Sequence, residues 1–494
     1  MPESLDAKIE LLKPKVEKNE DIILRFFYIK KVGIKGAVIY LDGVNDPQAL
    51  HQHVLRPLII DDGQQEPPAE SQVKSIDYLA EHCLSASKIQ KTDRLMPLIS
   101  SIFDGLLVVI ADGFTEALII DIHGGQTRAN EEPPAEKAYR GPRDGFIEVL
   151  DLNIPLIRRR IKDPNLVVEK ITIGRRTRNK VAILYIEDIA DRNIVDEVRK
   201  RISSIDIDGV LAVSYIEQLV EQSRYSPFPQ ARPTERPDRV AADLLEGRVA
   251  VLLDGTPVVL TLPSLFVEFF QAPEDYYERP VSASVIRFLR YVAFFLAVSL
   301  PAIYISLLSY HIELIPFELV VSLAQSRKAV PFSVVTEVVI MSIIIQLIIE
   351  AGLRLPGPVG QTIGVVSGIV LGQAAISSNL ASPGMVIVIS VTTIATFTLS
   401  SPSLVLTVRV LQFPMVLLAT TLGIFGTSVG WFLILFHLIS LESVGIPYLS
   451  PIAPTRYQDL KDTFIRTFMQ NMITRPVSIP GKNKVRYRPS GGES

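Results

Sequence analysis

The side chains of this sequence that invite a chemical reading fall into two sets. One lies in strongly apolar sequence: Glu337, Gln346, Glu350 and Arg409. A charge at bilayer depth costs about 2.5–3.5 kcal/mol on insertion scales, so each needs a partner, water or an ion. These four are candidates for a pore or cavity. Glu337 stands first, because Glu350 and Arg409 can lie at an interface whereas Glu337 is further inside its apolar segment. One such carboxylate per subunit would make a ring of negative charge, a device of cation channels. The alternative is a structural Glu paired with a neighbouring polar group. The second set is basic: Arg158, Arg159 and Arg160 end one helix, and Arg175 and Arg176 sit in Gly174-Arg-Arg-Thr-Arg178. They suit acidic lipid headgroups or an acidic partner, and equally a helix C-terminus stabilised by cations beside a solvated hairpin.

Enzyme chemistry finds little footing. Asp112-Gly113 and Asp254-Gly255 read as turns between apolar runs. His51 and His53 would point to different faces of a helix, so they make no metal pair. His123-Gly124-Gly125 has no nucleophile nearby, and no Walker or Rossmann glycine pattern occurs. The single cysteine, Cys83, excludes an internal disulfide and any cysteine-based metal cluster. A net charge of −3 with no nucleic-acid reader motif argues against nucleic acid. A binding or transducing protein without cofactor or metal is expected, not an enzyme.

The elements that must position these residues divide at about residue 280. From Leu355 to Val408 there is no ionisable residue, and from Val410 to Leu441 only His437. A bilayer core takes about 20 apolar residues per helix. An all-α polytopic membrane domain over 281–445 is therefore expected, with spans near Tyr291–Tyr310, Phe332–Leu353, Pro358–Ser378 and Met385–Ser400. Leu404–Leu441 has room for two more, interrupted by Pro414, Gly423, Gly426 and Gly430. The segment Ile312–Gln325 is too short and polar to span. Six crossings follow from hydrophobicity, and four if some segments are re-entrant. Gly360, Gly364, Gly368 and Gly372 fall every fourth residue and form a small-residue stripe for helix packing, within the fold or between subunits. The fourth span is rich in hydroxyls (Ser390, Thr392, Thr393, Thr396, Thr398). Arg287 and Arg290 precede the first span and hold that end in the cytoplasm by the positive-inside rule. Residues 446–494 form a basic cytosolic tail. With no apolar signal sequence at the start, both termini are expected in the cytoplasm.

The first 280 residues read as two small α/β modules, 1–140 and 141–280. Ala37-Val-Ile-Tyr-Leu-Asp-Gly-Val-Asn-Asp46 aligns with Ala182-Ile-Leu-Tyr-Ile-Glu-Asp-Ile-Ala-Asp191, an offset of 145 residues. The hairpin around Asp112-Gly113 recurs around Asp254-Gly255, an offset of 142. Two pieces in one order at nearly one offset point to duplication. Asp46 can cap the helix that Pro47 begins. Residues 223–238, rich in Pro, Arg and Ser, read as an extended connector. Pro263–Pro280, with Phe266, Phe269, Phe270, Tyr276 and Tyr277, reads as an aromatic bridge to the bilayer surface.

Several segments together resemble the A-type subunits of the GerA family of spore germination proteins. They are Arg140-Gly-Pro-Arg-Asp-Gly-Phe146, Leu156-Ile-Arg-Arg-Arg160, Glu313-Leu-Ile-Pro316 with Ala329-Val-Pro-Phe332, Glu350-Ala-Gly-Leu-Arg-Leu-Pro356 and Gly372-Gln-Ala-Ala375. The resemblance implies a multi-pass protein of the inner spore membrane. It also implies B- and C-type partner subunits, contact with membrane lipids, and a homo-oligomer acting as a germinant receptor and ligand-gated ion channel. SpoVAF-like relatives, which serve germination ion release without being nutrient receptors, belong to the same family. Competing readings are a secondary transporter, which an inverted repeat would favour, and a non-conducting scaffold for germination proteins.

Overall fold

The computed structural model describes residues 1–60, 76–85, 88–122, 124, 132–133, 136, 139–354, 368, 370 and 372–487. Its N-terminal half holds two five-stranded sheets. In the first, β1 (Ile22–Ile29), β2 (Ile34–Leu41), β3 (Ile89–Thr92), β4 (Leu107–Ala111) and β5 (Ala117–Ile120) lie in the order β1-β2-β4-β5-β3. The second contains β6 (Leu166–Ile173), β7 (Asn179–Ile186), β8 (Arg232–Thr234), β9 (Val249–Leu253) and β10 (Val259–Leu262). Its order, β6-β7-β9-β10-β8, is the same. Register repeats too: Ala37 pairs with Ile110 and Ala182 with Leu252. The duplication expected from sequence is thus present in topology and pairing.

Both faces of each sheet are covered, so the central strands are buried throughout and read as unbroken apolar runs. In the first module, Val38, Val109 and Leu118 meet Leu50, Val54 and Leu58 of the helical segment 47–59. On the other face, Ala37, Ile39 and Ile110 meet α1 (Leu5–Val16) and α2 (Leu95–Phe103). The second module adds α3 (Leu150–Arg158), α4 (Arg192–Ser203), α5 (Val213–Val220) and α6 (Pro237–Leu245). Helices α3 and α6 cover one face, and α4 and α5 the other.

The turn aspartates hold this architecture together from afar. Asp112 Oδ1 accepts the amide of Leu5, the first residue of α1, at 2.9 Å. Asp254 Oδ1 accepts the amide of Leu150, the first residue of α3, at 3.0 Å. Each hairpin turn therefore caps its module's first helix, satisfying an N–H that the helix cannot. Asp46 and Asp191 cap the next helices locally, at 2.8 Å to the amides of Gln48 and Asn193. Between the modules, Asp21 takes two bonds from the buried Arg158, at 2.8 and 2.9 Å.

The C-terminal half is helical: α7 (Pro280–Ser309), α8 (Phe317–Arg327), α9 (Val334–Arg354), α10 (Pro383–Phe397) and α11 (Pro402–Ser440). Three of these, α7, α9 and α11, are long and apolar enough to cross a membrane. Helix α7 begins well before the expected Tyr291. Helix α8 lies where no span was expected. Helix α10 has 15 residues, fewer than the roughly 20 of a full span. The expected third span, with Gly360 and Gly364, falls mostly outside the described residues. A Cβ at Gly368 or Gly372 would meet nothing within 4 Å, so these two glycines make no close packing among the described residues.

Helix α11 is a hairpin. Gly423 has φ 61° and ψ −139°, which ends one helix and starts another. A Cβ on Gly426 would collide with the Leu418 carbonyl, and one on Gly430 with the Met415 sulfur, so the arms press together at glycine. The hinge rests on Tyr310 and His311 at the far end of α7. Both arms bond α7: Gln412 donates to the Ala297 carbonyl (2.8 Å) and Trp431 to Ser299 (2.7 Å). The expectation of two helices in Leu404–Leu441 holds. Beyond α11 the described tail packs back on the second module: Lys482 N donates to Ile189 O (3.0 Å) and Arg475 to Leu245 O (2.7 Å).

The long-range cap gives a first prediction. Asp254→Ala should cost about 1 kcal/mol, an N-cap's worth. Hydrogen exchange at the α3 amides should then quicken about fivefold, while Asp254→Asn stays near wild type. Equal exchange in the Ala variant would show that the turn does not hold α3.

Candidate functional site

The path from the second sheet to the membrane helices crosses a dense junction. After β10 the chain makes a 3-10 turn, Phe266–Phe270, then a short helix, Glu274–Tyr277, and enters α7. Arg287 and Arg290 stand three apart on α7 and so share a face. Both turn inward on Asp275. Arg287 Nε lies 3.2 Å from Asp275 Oδ2, and Arg290 Nη1 lies 2.9 and 2.8 Å from its two oxygens. From the tail, Asp462 accepts Arg287 at 2.9 Å and the Tyr276 hydroxyl at 2.6 Å. Arg290 also bonds the Phe270 carbonyl, and Arg466 bonds the Glu278 carbonyl, at 2.9 and 2.8 Å. Arg287 and Asp275 are 0% and 3% exposed. Burial, reinforced by the Asp462 carboxylate, pushes the Tyr276 phenol well above its ordinary pKa. Sequence reasoning used Arg287 and Arg290 only as positive charges orienting the first span; their charges are matched inside the protein.

The aromatic bridge is corrected likewise. Phe266, Phe269 and Phe270 are buried, with Phe270 stacked on Tyr291 at 4.2 Å and edge-on to Phe294 at 5.4 Å. Tyr448, fully buried, closes this cluster from the tail side. Nor is the connector 223–238 confined to its module. The Pro227 carbonyl accepts Thr407 Oγ1 at 2.6 Å, Ser226 Oγ lies 2.9 Å from His437 Nε2, and Phe228 sits 6.0 Å from the His437 ring. Both arms of α11 are therefore gripped by the second module.

Deeper in the helices, two polar groupings appear. Gln346 and Ser342 of α9, Thr392, Thr393 and Thr396 of α10, and Arg409 and Gln412 of α11 line one cleft of about 60 Å³, room for a few waters. The threonine hydroxyls donate to carbonyls four residues earlier, each at 2.8 Å. Two sequence candidates, Gln346 and Arg409, are thus brought together. Glu350 lies on the exposed surface of α9. Glu337 belongs to the second grouping and is fully enclosed. Its Oε1 accepts the Ser382 amide and hydroxyl, each at 2.6 Å, and Oε2 lies 3.4 Å from Arg327 Nη2. Ser382 is the N-cap of α10, so Glu337 faces the positive end of a helix dipole as well as a guanidinium. Among the described residues Glu337 is enclosed by protein, with no face open to solvent.

The basic candidates are mostly spoken for. Arg158 is 2% exposed, clamped by Asp21 and Asn19 and set 5.3 Å over the Phe103 ring, so no lipid reaches it. Arg160 pairs with Asp144, Arg175 with Asp206, and Arg176 lies 3.7 Å from Asp208. Arg159 is exposed. Among the described residues no group of three or more His, Cys, Asp or Glu could hold a metal ion.

A family model described as Bacillus/Clostridium GerA spore germination protein matches residues 10–478. This chain belongs to the GerA family. Among its relatives, the uncharacterised membrane protein YfkQ of Bacillus subtilis is 40% identical over 473 residues, covering 96% of this chain and 91% of YfkQ. Spore germination protein KA of the same organism is 39% identical over 484 residues, covering 98% of this chain and 88% of that protein. A crystal structure of the N-terminal domain of the A subunit of the Bacillus megaterium spore germinant receptor GerK3 is 33% identical. It covers 54% of this chain and 97% of that domain, with a TM-score of 0.41. In this GerA-family chain the matched range contains every group of the junction, from Asp275 to Arg466.

Magnitudes separate the junction from surface charge. Asp275→Ala leaves two buried arginines poorly compensated, and breaking such a pairing costs about 3–5 kcal/mol. Glu17→Ala, which breaks the exposed Lys13–Glu17 pair, should cost under about 0.5 kcal/mol. Thermal unfolding of the purified chain in detergent compares the two. Equal midpoints would mean that the junction is not a stabilising contact.

Proposed function

We propose that this chain is the A-type subunit of a germinant receptor, passing a signal from its soluble modules to its membrane helices and so gating ion release across the inner spore membrane. The observation that carries this reading is the junction: α7 is held to the second module and to the tail by the Asp275–Arg287–Arg290–Asp462 cluster. A displacement in the soluble part must move α7 or break buried ion pairs.

The polar cleft is the candidate for the ion path, with Gln346 and Arg409 offering the polar contacts. Glu350 and the glycine stripe, Gly360 to Gly372, are candidates for contact with other subunits in a homo-oligomer. B- and C-type subunits are the expected partners, with Arg159 available for an acidic surface or lipid. The soluble modules and both termini would face the cytoplasm. Glu337 acts in this account as a latch between α9 and α10.

Spores carrying Gln346→Leu test the path. Replacing the amide with an alkyl group should dry the cleft and slow cation release several-fold at unchanged abundance. Glu337→Ala should instead lower abundance, because it removes the acceptor of the buried Ser382 amide and hydroxyl and the carboxylate that faces half-buried Arg327. Cation release at the normal rate in Gln346→Leu spores, with normal protein level, would take the cleft out of the path.

A further inference from the structure

Helix α5 buries Val213, Ile216 and Val220 in the second module. Its outward side is mixed: Ser214 and Gln218 are exposed there, and beside them runs an apolar stripe. Tyr215 and Leu219, four apart and so on one side of the helix, are 42% and 37% exposed. Leu211, just ahead of the helix, is 68% exposed, and Tyr225, just after it, projects completely. Arg224 beside Tyr225 is exposed too. Exposed apolar residues scattered singly need no explanation, but a stripe of four around one short helix does.

The position of this stripe is fixed by the residues that follow it. Ser226 meets His437, and Pro227 meets Thr407. His437 lies three residues before the end of α11, and Thr407 five residues after its start. At 1.5 Å per residue the connector thus reaches about 5–8 Å inside the helix ends. That is the thickness of one polar interfacial layer of a bilayer, about 5–8 Å on each side of the hydrocarbon. Tyr225 directly precedes these contacts in the chain, and four residues separate it from the end of α5 at Val220. Of the aromatic residues expected to form a belt at 263–280, Phe266, Phe269 and Phe270 are buried and Tyr277 donates to Asp238, which leaves the tyrosines here to supply one.

We propose that the face of α5 formed by Leu211, Tyr215 and Leu219, together with Tyr225, lies in the headgroup layer of the lipid bilayer and anchors the second module to the membrane surface. Tyrosine suits this layer because its ring is apolar and its hydroxyl is polar. Arg224 adds attraction to acidic headgroups. The contact is continuous with the grip on both arms of α11, so bilayer, second module and hairpin form one mechanical unit.

The test uses the full chain in lipid nanodiscs, with Cys83→Ala removing the one native thiol, which is buried. Tyr225→Cys, and separately Leu219→Cys, carry a bimane fluorophore. At both positions a nitroxide on the lipid headgroup should quench the fluorophore at least about twofold more than aqueous iodide, as for an interfacial helix. Quenching by iodide alone would place the face in water and overturn the proposal. Protection from both quenchers would overturn it in favour of a second copy of the chain covering this face.

Discussion

Everything below the soluble modules depends on one buried arrangement of charge. Two arginines, Arg287 and Arg290, enter the protein interior at the head of α7 and are met by Asp275 from the preceding short helix and Asp462 from the tail. Removing such charges from water costs several kcal/mol per ion unless geometry and further hydrogen bonds compensate. Here the Phe270 carbonyl and the Tyr276 hydroxyl supply the further bonds. The consequence is mechanical. Helix α7 cannot shift along or rotate without uncovering an unpaired charge, so the second module, α7 and the tail move together or part at a high cost. Aromatic packing of Phe266, Phe270, Tyr291 and Phe294 covers one side of the cluster, while Asp462 on the other side keeps partial access to solvent.

A second constraint is the α11 hairpin. Its two arms start and end at the connector 226–228, and its tip rests on the far end of α7. Motion imposed at the connector therefore reaches the tip through two helices at once. The Glu337–Ser382–Arg327 grouping ties α9 to the start of α10 and leaves the Gln346–Arg409 cleft between them. The arrangement is one of stiff helices joined at a few charged or glycine-lined points, which suits switching between discrete packings rather than continuous bending.

How much of this was legible in the sequence differs by element. The duplicated modules were legible because both strand and hairpin recur at near-constant offset, and doubly covered strands leave unbroken apolar runs. The α11 hairpin was legible because only glycine tolerates its hinge and close crossings. The long-range caps were not: Asp254 and Leu150 are far apart in sequence, and an Asp-Gly turn reads the same with or without a helix to cap. Arg287 and Arg290 were visible as charges at the head of an apolar helix. Nothing local tells lipid headgroups from a carboxylate that arrives 175 residues later, as Asp462 does. Glu337 shows the same limit. Its depth in an apolar segment demanded a partner, and whether that partner was water, an ion or the N-terminus of α10 depended on how α9 and α10 pack.

The central claim is that the junction transmits motion from the soluble part to the membrane helices, and one conservative substitution tests it most directly. Tyr276→Phe removes the single hydroxyl that joins the short helix before α7 to Asp462 of the tail, while keeping the ring that packs beneath Arg287 and Arg466. Germinant-triggered ion release should be measured in spores whose content of this chain is quantified in parallel. The account predicts slower release at unchanged protein level. Release at the wild-type rate, with the protein present in wild-type amount, would contradict it.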